Sequence, residues 1–160
     1  MLLGMTPFTF IHVLLSLVGI ASGLVVLYGL LTANPMARWT QVFLVTTVAT
    51  SVTGFFFPFH GVTPAIILGV LSLLVLAAAI AGRYAFHLAG PWRWVYAASA
   101  VVALYFNVFV LVVQAFAKIP PLHALAPNGS GPAFAAAQAL ALLFFVVTGY
   151  LSVRRFRPAV

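Results

Sequence analysis

Long apolar runs, separated by short polar or proline-marked breaks, set the pattern of this chain. The longest is WRWVYAASAVVALYFNVFVLVVQAFAK, Trp92 to Lys118, which leads into the proline-studded stretch IPPLHALAPNGSGP. A helix of roughly 20 apolar residues crosses the hydrocarbon core of a bilayer, so this run spans with length to spare. Asn107, Gln114 and Lys118 lie seven and four residues apart along it, on one face of a 3.6-residue period. A polar stripe is costly against lipid. The expectation is therefore a helix central to a bundle, with this stripe turned toward protein.

Four further runs follow the same logic. Thr6-Pro7 reads as a cap followed by proline at the first helical position, opening a helix over 7–31. Asn34-Pro35 marks a turn, and a hydroxyl-rich helix over 39–57 carries Thr46, Thr47, Thr50, Ser51 and Thr53. Such side chains bond back to their own helix backbone. Thr63-Pro64 repeats the cap-then-proline start for a helix over 64–83, with an extension through Tyr84 to Leu88 left open. Gly90-Pro91 resets the chain before the helix over 92–118, and Gly131-Pro132 opens the last, over 132–153. Gln138, Phe145, Thr148 and Ser152 share the inward face of that last helix. The expected fold is all-α: one transmembrane domain, 1–160, of five membrane-spanning helices, with connections short enough to force antiparallel neighbours.

Small residues recur at helical spacing. His12, Ser16, Gly19 and Gly23 share one face of the first helix, and Ala65, Gly69 and Ser72 share one of the third. Gly19, Gly23, Gly69 and Ser72 are the expected points of close helix packing.

Composition agrees with the pattern and narrows the chemistry. Charged residues make up 4% of the chain and hydrophobic residues 65%, with no Asp, Glu or Cys. A water-facing surface is ordinarily about a quarter charged, so lipid must be the solvent for most of this one. A β-barrel would need strands of alternating polarity, which the continuous apolar runs do not supply. Without carboxylates there is no carboxylate dyad, complete Ser-His-Asp triad, calcium cage or intramembrane acidic proton relay. No catalytic set is recognisable.

Charge also orients the chain. Arg38, Arg83, Arg93, Arg154, Arg155 and Arg157 fall on one side of a five-span scheme and Lys118 alone on the other. The positive-inside rule then puts the N-terminus outside and the C-terminus in the cytoplasm. Trp39, Trp92 and Trp94 sit at the cytoplasmic boundary, where an aromatic belt belongs. The six arginines read as anchors to anionic lipid headgroups. They stand at helix ends and form no soluble basic patch, so nucleic acid is not an expected partner.

The same scheme gathers His12, His60 and His123 near the outer face, with Gln114 and Lys118 rising toward it, and leaves His87 cytoplasmic. Neutral imidazoles suit haem iron, copper or zinc. Two of them, His12 and His60, would clamp a haem, and His12, His60 and His123 together would hold copper or zinc with an open position. A quinone pocket would use His12, His60, Asn107, Gln114, Lys118 and His123. Structural histidines and interhelical amide bonds from Asn107 and Gln114 are the plainer alternative.

Over ALYFNVFVLVVQAFAKIPPLHALAP (Ala103 to Pro127) and, less closely, GFFFPFHGVTPA (Gly54 to Ala65), the chain resembles a group of small uncharacterised multi-pass membrane proteins of bacteria. That resemblance implies a helical membrane architecture in the inner membrane and carries no established activity. Members of the group have a more polar, partly acidic loop where this chain has Asn128 to Gly131.

Three functions follow as expectations. The first is an accessory or structural subunit that docks through its small-residue faces onto a larger membrane complex, such as a bioenergetic one. The second is a redox or ligand-binding protein holding haem, metal or quinone near its outer histidines. The third is a small transporter or channel for an anion or neutral solute.

Overall fold

The structure is a computed structural model that describes residues 4–158. Its helices are α1 Pro7–Leu31, α2 Ala37–Gly54, α3 Pro64–Ile80, α4 Trp92–Lys118, α5 Pro120–Leu125 and α6 Pro132–Arg155, with a turn of π-helix, Ala81–Ala85, continuing α3.

Helix starts are set by caps and prolines. Thr6 and Thr63 stand in extended backbone, and each side-chain hydroxyl accepts a bond from the amide three residues on, 3.2 Å for Thr9 and 3.3 Å for Ile66. Pro7, Pro64 and Pro132 follow at the first helical positions, where a missing N–H costs nothing.

α2 opens at Ala37 rather than at 39 and α6 closes at Arg155 rather than at 153; the larger departures from the sequence expectation have local reasons. α2 stops at Gly54 rather than at 57. A proline ring clashes with the carbonyl four residues back, and for Pro58 that residue is Gly54. The chain tightens there, with the Phe55 and Phe56 amides donating to Val52 and Thr53, both at 3.1 Å. α3 runs past Arg83 but stops short of Leu88. Its π turn closes with the Phe86 amide donating to the Ala81 carbonyl at 2.9 Å, and His87 and Leu88 then turn into left-handed backbone at φ 48 and 60. Two such residues without a glycine are uncommon. The third difference is α5, a short helix in the proline-rich stretch expected to be loop; Pro120 opens it and the His123 amide donates to Ile119 at 2.8 Å.

Four helical segments are long and apolar enough to cross a membrane: α1, α3 with its π turn (Pro64–Ala85), α4 and α6. The chain is an integral membrane helical bundle. α2 is not among the four, yet it lies antiparallel along α1 over most of its length. His12 meets Thr53, Gly19 meets Thr47, Gly23 meets Phe43 and Gly29 meets Met36.

α4 is the hub. Its buried face (Tyr96, Ala97, Ala100, Val101, Ala103, Leu104) packs with Val26, Leu27 and Leu30 of α1, Phe43 and Leu44 of α2, Leu76 and Ala79 of α3, and Phe145 of α6. Alanines at 97, 100 and 103 let the neighbouring helices approach closely. The antiparallel α4–α6 pair is pinned along its length by Phe116 on Phe134, Gln138 on the Phe109 carbonyl, Tyr105 on Phe145, and Val101 against Gly149.

The helix directions give the bundle two ends. The histidine end holds the starts of α1, α3 and α6 and the finishes of α2 and α4; the arginine end holds the reverse.

Candidate functional site

The first candidate is a polar seam between α1, α2 and α4. Gly19, bare of side chain, is approached by three polar groups. A Cβ built there would lie 3.2 Å from Thr47 Oγ1, 3.3 Å from Thr46 Oγ1 and 3.5 Å from Asn107 Nδ2. Asn107 is buried and donates from Nδ2 to Thr47 Oγ1 at 3.4 Å. The other hydroxyls of α2 mostly satisfy themselves: Thr46, Thr50 and Thr53 donate to the carbonyls of Val42, Thr46 and Ala49 at 2.6, 2.8 and 2.7 Å. This back-bonding lets a hydroxyl-rich helix sit inside a bundle without water.

His12 caps the seam, half-buried, its ring edge-on to Phe57 at 4.9 Å. Its Nδ1 lies 2.7 Å from Thr53 Oγ1. The Thr53 proton is already directed at the Ala49 carbonyl, so Thr53 accepts and His12 Nδ1 donates. That accounting fixes a neutral imidazole as the Nδ1–H tautomer and leaves Nε2 with a lone pair. Such a group accepts a hydrogen bond or ligates a metal; it cannot donate to a quinone carbonyl. Thr53→Val strands the Nδ1–H and is expected to lower stability by about 0.5–1.5 kcal/mol, read as a fall in the melting temperature in mild detergent. An unchanged melting point would contradict this bond.

The remaining outer-face residues do not join His12. His60 is exposed in the turn between α2 and α3. His123 is exposed on α5 and donates from Nδ1 to the Phe116 carbonyl at 3.3 Å, at the end of α4. Among the described residues no three His, Cys, Asp or Glu side chains come together to hold a metal ion. The copper or zinc centre expected from His12, His60 and His123 is therefore not assembled. Sharing an end of the bundle is a weaker condition than sharing a site, because each histidine is tied to a different element.

The α4 stripe also divides. Asn107 faces protein as expected, but Gln114 and Lys118 are exposed. α1 meets α4 at Gly19 and Gly23, then commits to α2 through His12 and Thr53, so it does not cover the last turns of α4. Those turns pack instead through buried Phe116 toward α6.

The small-residue faces are filled from within. A Cβ on Gly23 would lie 2.6 Å from Leu104 Cδ1 and 2.9 Å from Phe43, and one on Gly69 would lie 2.9 Å from Phe55. Ser72 is buried at 7% exposure. Gly23 and Gly69 are thus met by side chains of this chain's own helices.

At the arginine end, Arg38, Arg154, Arg155 and Arg157 are exposed while Arg83 and Arg93 are half-buried. Arg93 Nη1 donates to the carbonyls of Val153, at 3.1 Å, and Phe156, fastening the end of α6 to the start of α4. Arg83 lies over the ring of buried Tyr96 at 5.4 Å and over Tyr84 at 5.8 Å. A cleft of about 370 Å³ opens there, lined by Pro35, Arg83, Tyr84, His87, Leu88, Arg93 and Pro158. Reading the arginines one by one as anchors missed this grouping. Its signal was the short link RYAFHLAGPWR, which must return Arg93 to the level of Arg83.

A second, apolar trough of about 510 Å³ runs between α4 and α6, lined by residues that include Val101, Val102, Tyr105, Leu142, Gly149 and Tyr150.

Comparisons with protein-family models, with curated proteins and with solved structures found no match to this chain.

Proposed function

We propose that this chain is a five-span protein of a bacterial inner membrane that serves as an accessory, non-catalytic subunit, seated side-on against another membrane protein, as in a bioenergetic complex. The observation that carries the reading is the trough between α4 and α6, with Gly149 on its wall. α6 buries only 6% of its apolar window inside the bundle, the least of the four candidate spans. Gly149 itself is met by Val101 of α4, but Leu142, Val146 and Tyr150 at the trough and Leu143 and Val147 beside them are exposed, an apolar face open to another membrane helix.

Five spans are favoured because α2 lies along α1 from His12 to Gly29, so a membrane that admits α1 also receives α2. Its back-bonded hydroxyls remove the main cost of placing it there. The arginine end faces the cytoplasm on the positive-inside argument. In single-cysteine variants Arg38→Cys and His123→Cys, an impermeant thiol reagent added to intact spheroplasts should modify position 123 and not 38. Equal labelling from one side would end the five-span scheme.

Docking is tested with a photo-crosslinking residue placed at Val102 or Tyr150, in the trough, or at Leu14, exposed elsewhere on α1. In native membranes the trough positions should give one discrete higher-mass adduct and Leu14 none. Adducts equal at all three positions, or a clean monomer after mild-detergent purification with no trough adduct, would overturn the subunit reading.

A further inference from the structure

We propose that the cleft at the arginine end is a binding site for a phosphate group, gripped by the guanidinium groups of Arg83 and Arg93. The inference goes beyond the subunit reading and does not depend on it; only its lipid arm rests on the chain being in a membrane.

The first support is an imbalance of partners. Arg83 Nη1 is buried and has no hydrogen-bond partner among the described residues. A charged donor removed from water without a partner is costly, and the chain holds no Asp or Glu to relieve it. An anion bound in the cleft would supply the missing negative charge. The rings of Tyr96 and Tyr84 offset part of the cost, at 5.4 and 5.8 Å from the guanidinium carbon. They hold the side chain at the cleft, where Arg83 is part of the lining.

The second support is orientation. Arg93 uses Nη1 on two backbone carbonyls, at Val153 and Phe156. A guanidinium has five N–H donors in a rigid fork, so Nε and Nη2 remain available on a side chain that is already fixed. Two pre-positioned forks on one cleft match the several acceptor oxygens of a phosphate better than a single lysine would. His87 stands at the same cleft as a further donor, held at a left-handed turn with Leu88, whose side chain packs against the core.

The third support is room and place. At about 370 Å³ the cleft exceeds a bare phosphate and leaves space for the group attached to it. It lies at the bundle end that carries exposed Trp39 and Trp94 and the exposed arginines. Basic pockets at that level of a membrane protein take anionic headgroups. A phosphate from a lipid headgroup and a phosphate from a soluble compound share this chemistry.

The experiment uses the full chain in a neutral detergent, with inorganic phosphate and dioleoylphosphatidylglycerol as separate probes. Native mass spectrometry reads stoichiometry, and a thermal melt reads stabilisation. Wild type should bind one phosphate-bearing molecule saturably and melt at a higher temperature when it does. Loss of charged hydrogen bonds in Arg83→Gln should weaken binding by about 10- to 100-fold, while the double variant R154Q/R155Q should stay within about twofold of wild type, its charges being exposed and screened. Arg83→Lys keeps the charge but not the fork, and should fall between wild type and R83Q; it also serves if R83Q does not fold. Phosphatidylglycerol retained against millimolar inorganic phosphate identifies a headgroup site. Inorganic phosphate that binds alone and displaces the lipid identifies a soluble ligand. No saturable one-to-one binding and no melting shift with either probe would overturn the proposal. So would a loss in R154Q/R155Q equal to that in R83Q, which would mean diffuse attraction only.

Discussion

Gly23→Val is expected to lower the stability of the bundle by about 2–3 kcal/mol, the upper part of the range for overpacking a filled core. Even the first added carbon has no room: it would lie 2.6 Å from Leu104 Cδ1 and 2.9 and 3.0 Å from the Phe43 ring. Both neighbours are only 1% exposed, and they belong to two different helices. Moving either one displaces α2 or α4 from α1, and α4 is the element on which most of the others rest. Gly54→Ala makes the contrast. A Cβ there meets only His12 Cε1, at the ordinary distance of 3.7 Å, and replacing a helical glycine with alanine contributes about 0.5–1 kcal/mol of helix preference. Reversible unfolding in mixed micelles should therefore move the two variants in opposite directions. A wild-type curve for G23V would mean that α1, α2 and α4 do not meet at this residue.

The contrast also marks what the sequence could tell. Where structure is decided locally, reading the chain was enough. Thr6-Pro7, Thr63-Pro64 and Gly131-Pro132 open helices at the expected residues, and the run from Trp92 to Lys118 forms one helix with the expected limits. These depend on a cap, a proline ring and a length of apolar chain. Gly19 and Gly23 were legible as close-packing positions, but not which helices would fill them. Pattern cannot distinguish an internal from an external partner, since both require small residues.

The candidate sites were legible only by end of the bundle. Helix direction sorts His12, His60 and His123 from the arginines, but whether side chains meet depends on how the helices cross. His12 turned to Thr53 on α2, and Gln114 was left uncovered where α1 leaves α4. At the other end the same dependence worked in reverse. Arg83 and Arg93, ten residues apart in sequence, share a cleft because a π turn and two left-handed residues fold the link back on itself.

The segment after α6 is the largest surprise, and it carries the second large effect. Arg154, Arg155 and Arg157 read in sequence as headgroup anchors, yet Phe156 among them is 0% exposed, its ring 5.7 Å from that of buried Tyr96. Phe156→Ala should cost about 3–5 kcal/mol, as for other fully buried phenylalanines, whereas Phe56→Ala, at a ring 72% exposed, should change stability by no more than about 0.5 kcal/mol. The reason the loss should be large is that one residue closes the arginine end twice. Its side chain fills the space against Tyr96, and its carbonyl accepts from Arg93. The alanine variant keeps the carbonyl but loses the packing that holds it in place, so the Arg93 bond should weaken with it. Arg93→Ala and Phe156→Ala are therefore expected to be less than additive when combined, a coupling of the kind found between residues in direct contact. Simple additivity would separate the ring from the guanidinium. A wild-type melting point for F156A would mean that the Phe156 ring does not pack on Tyr96.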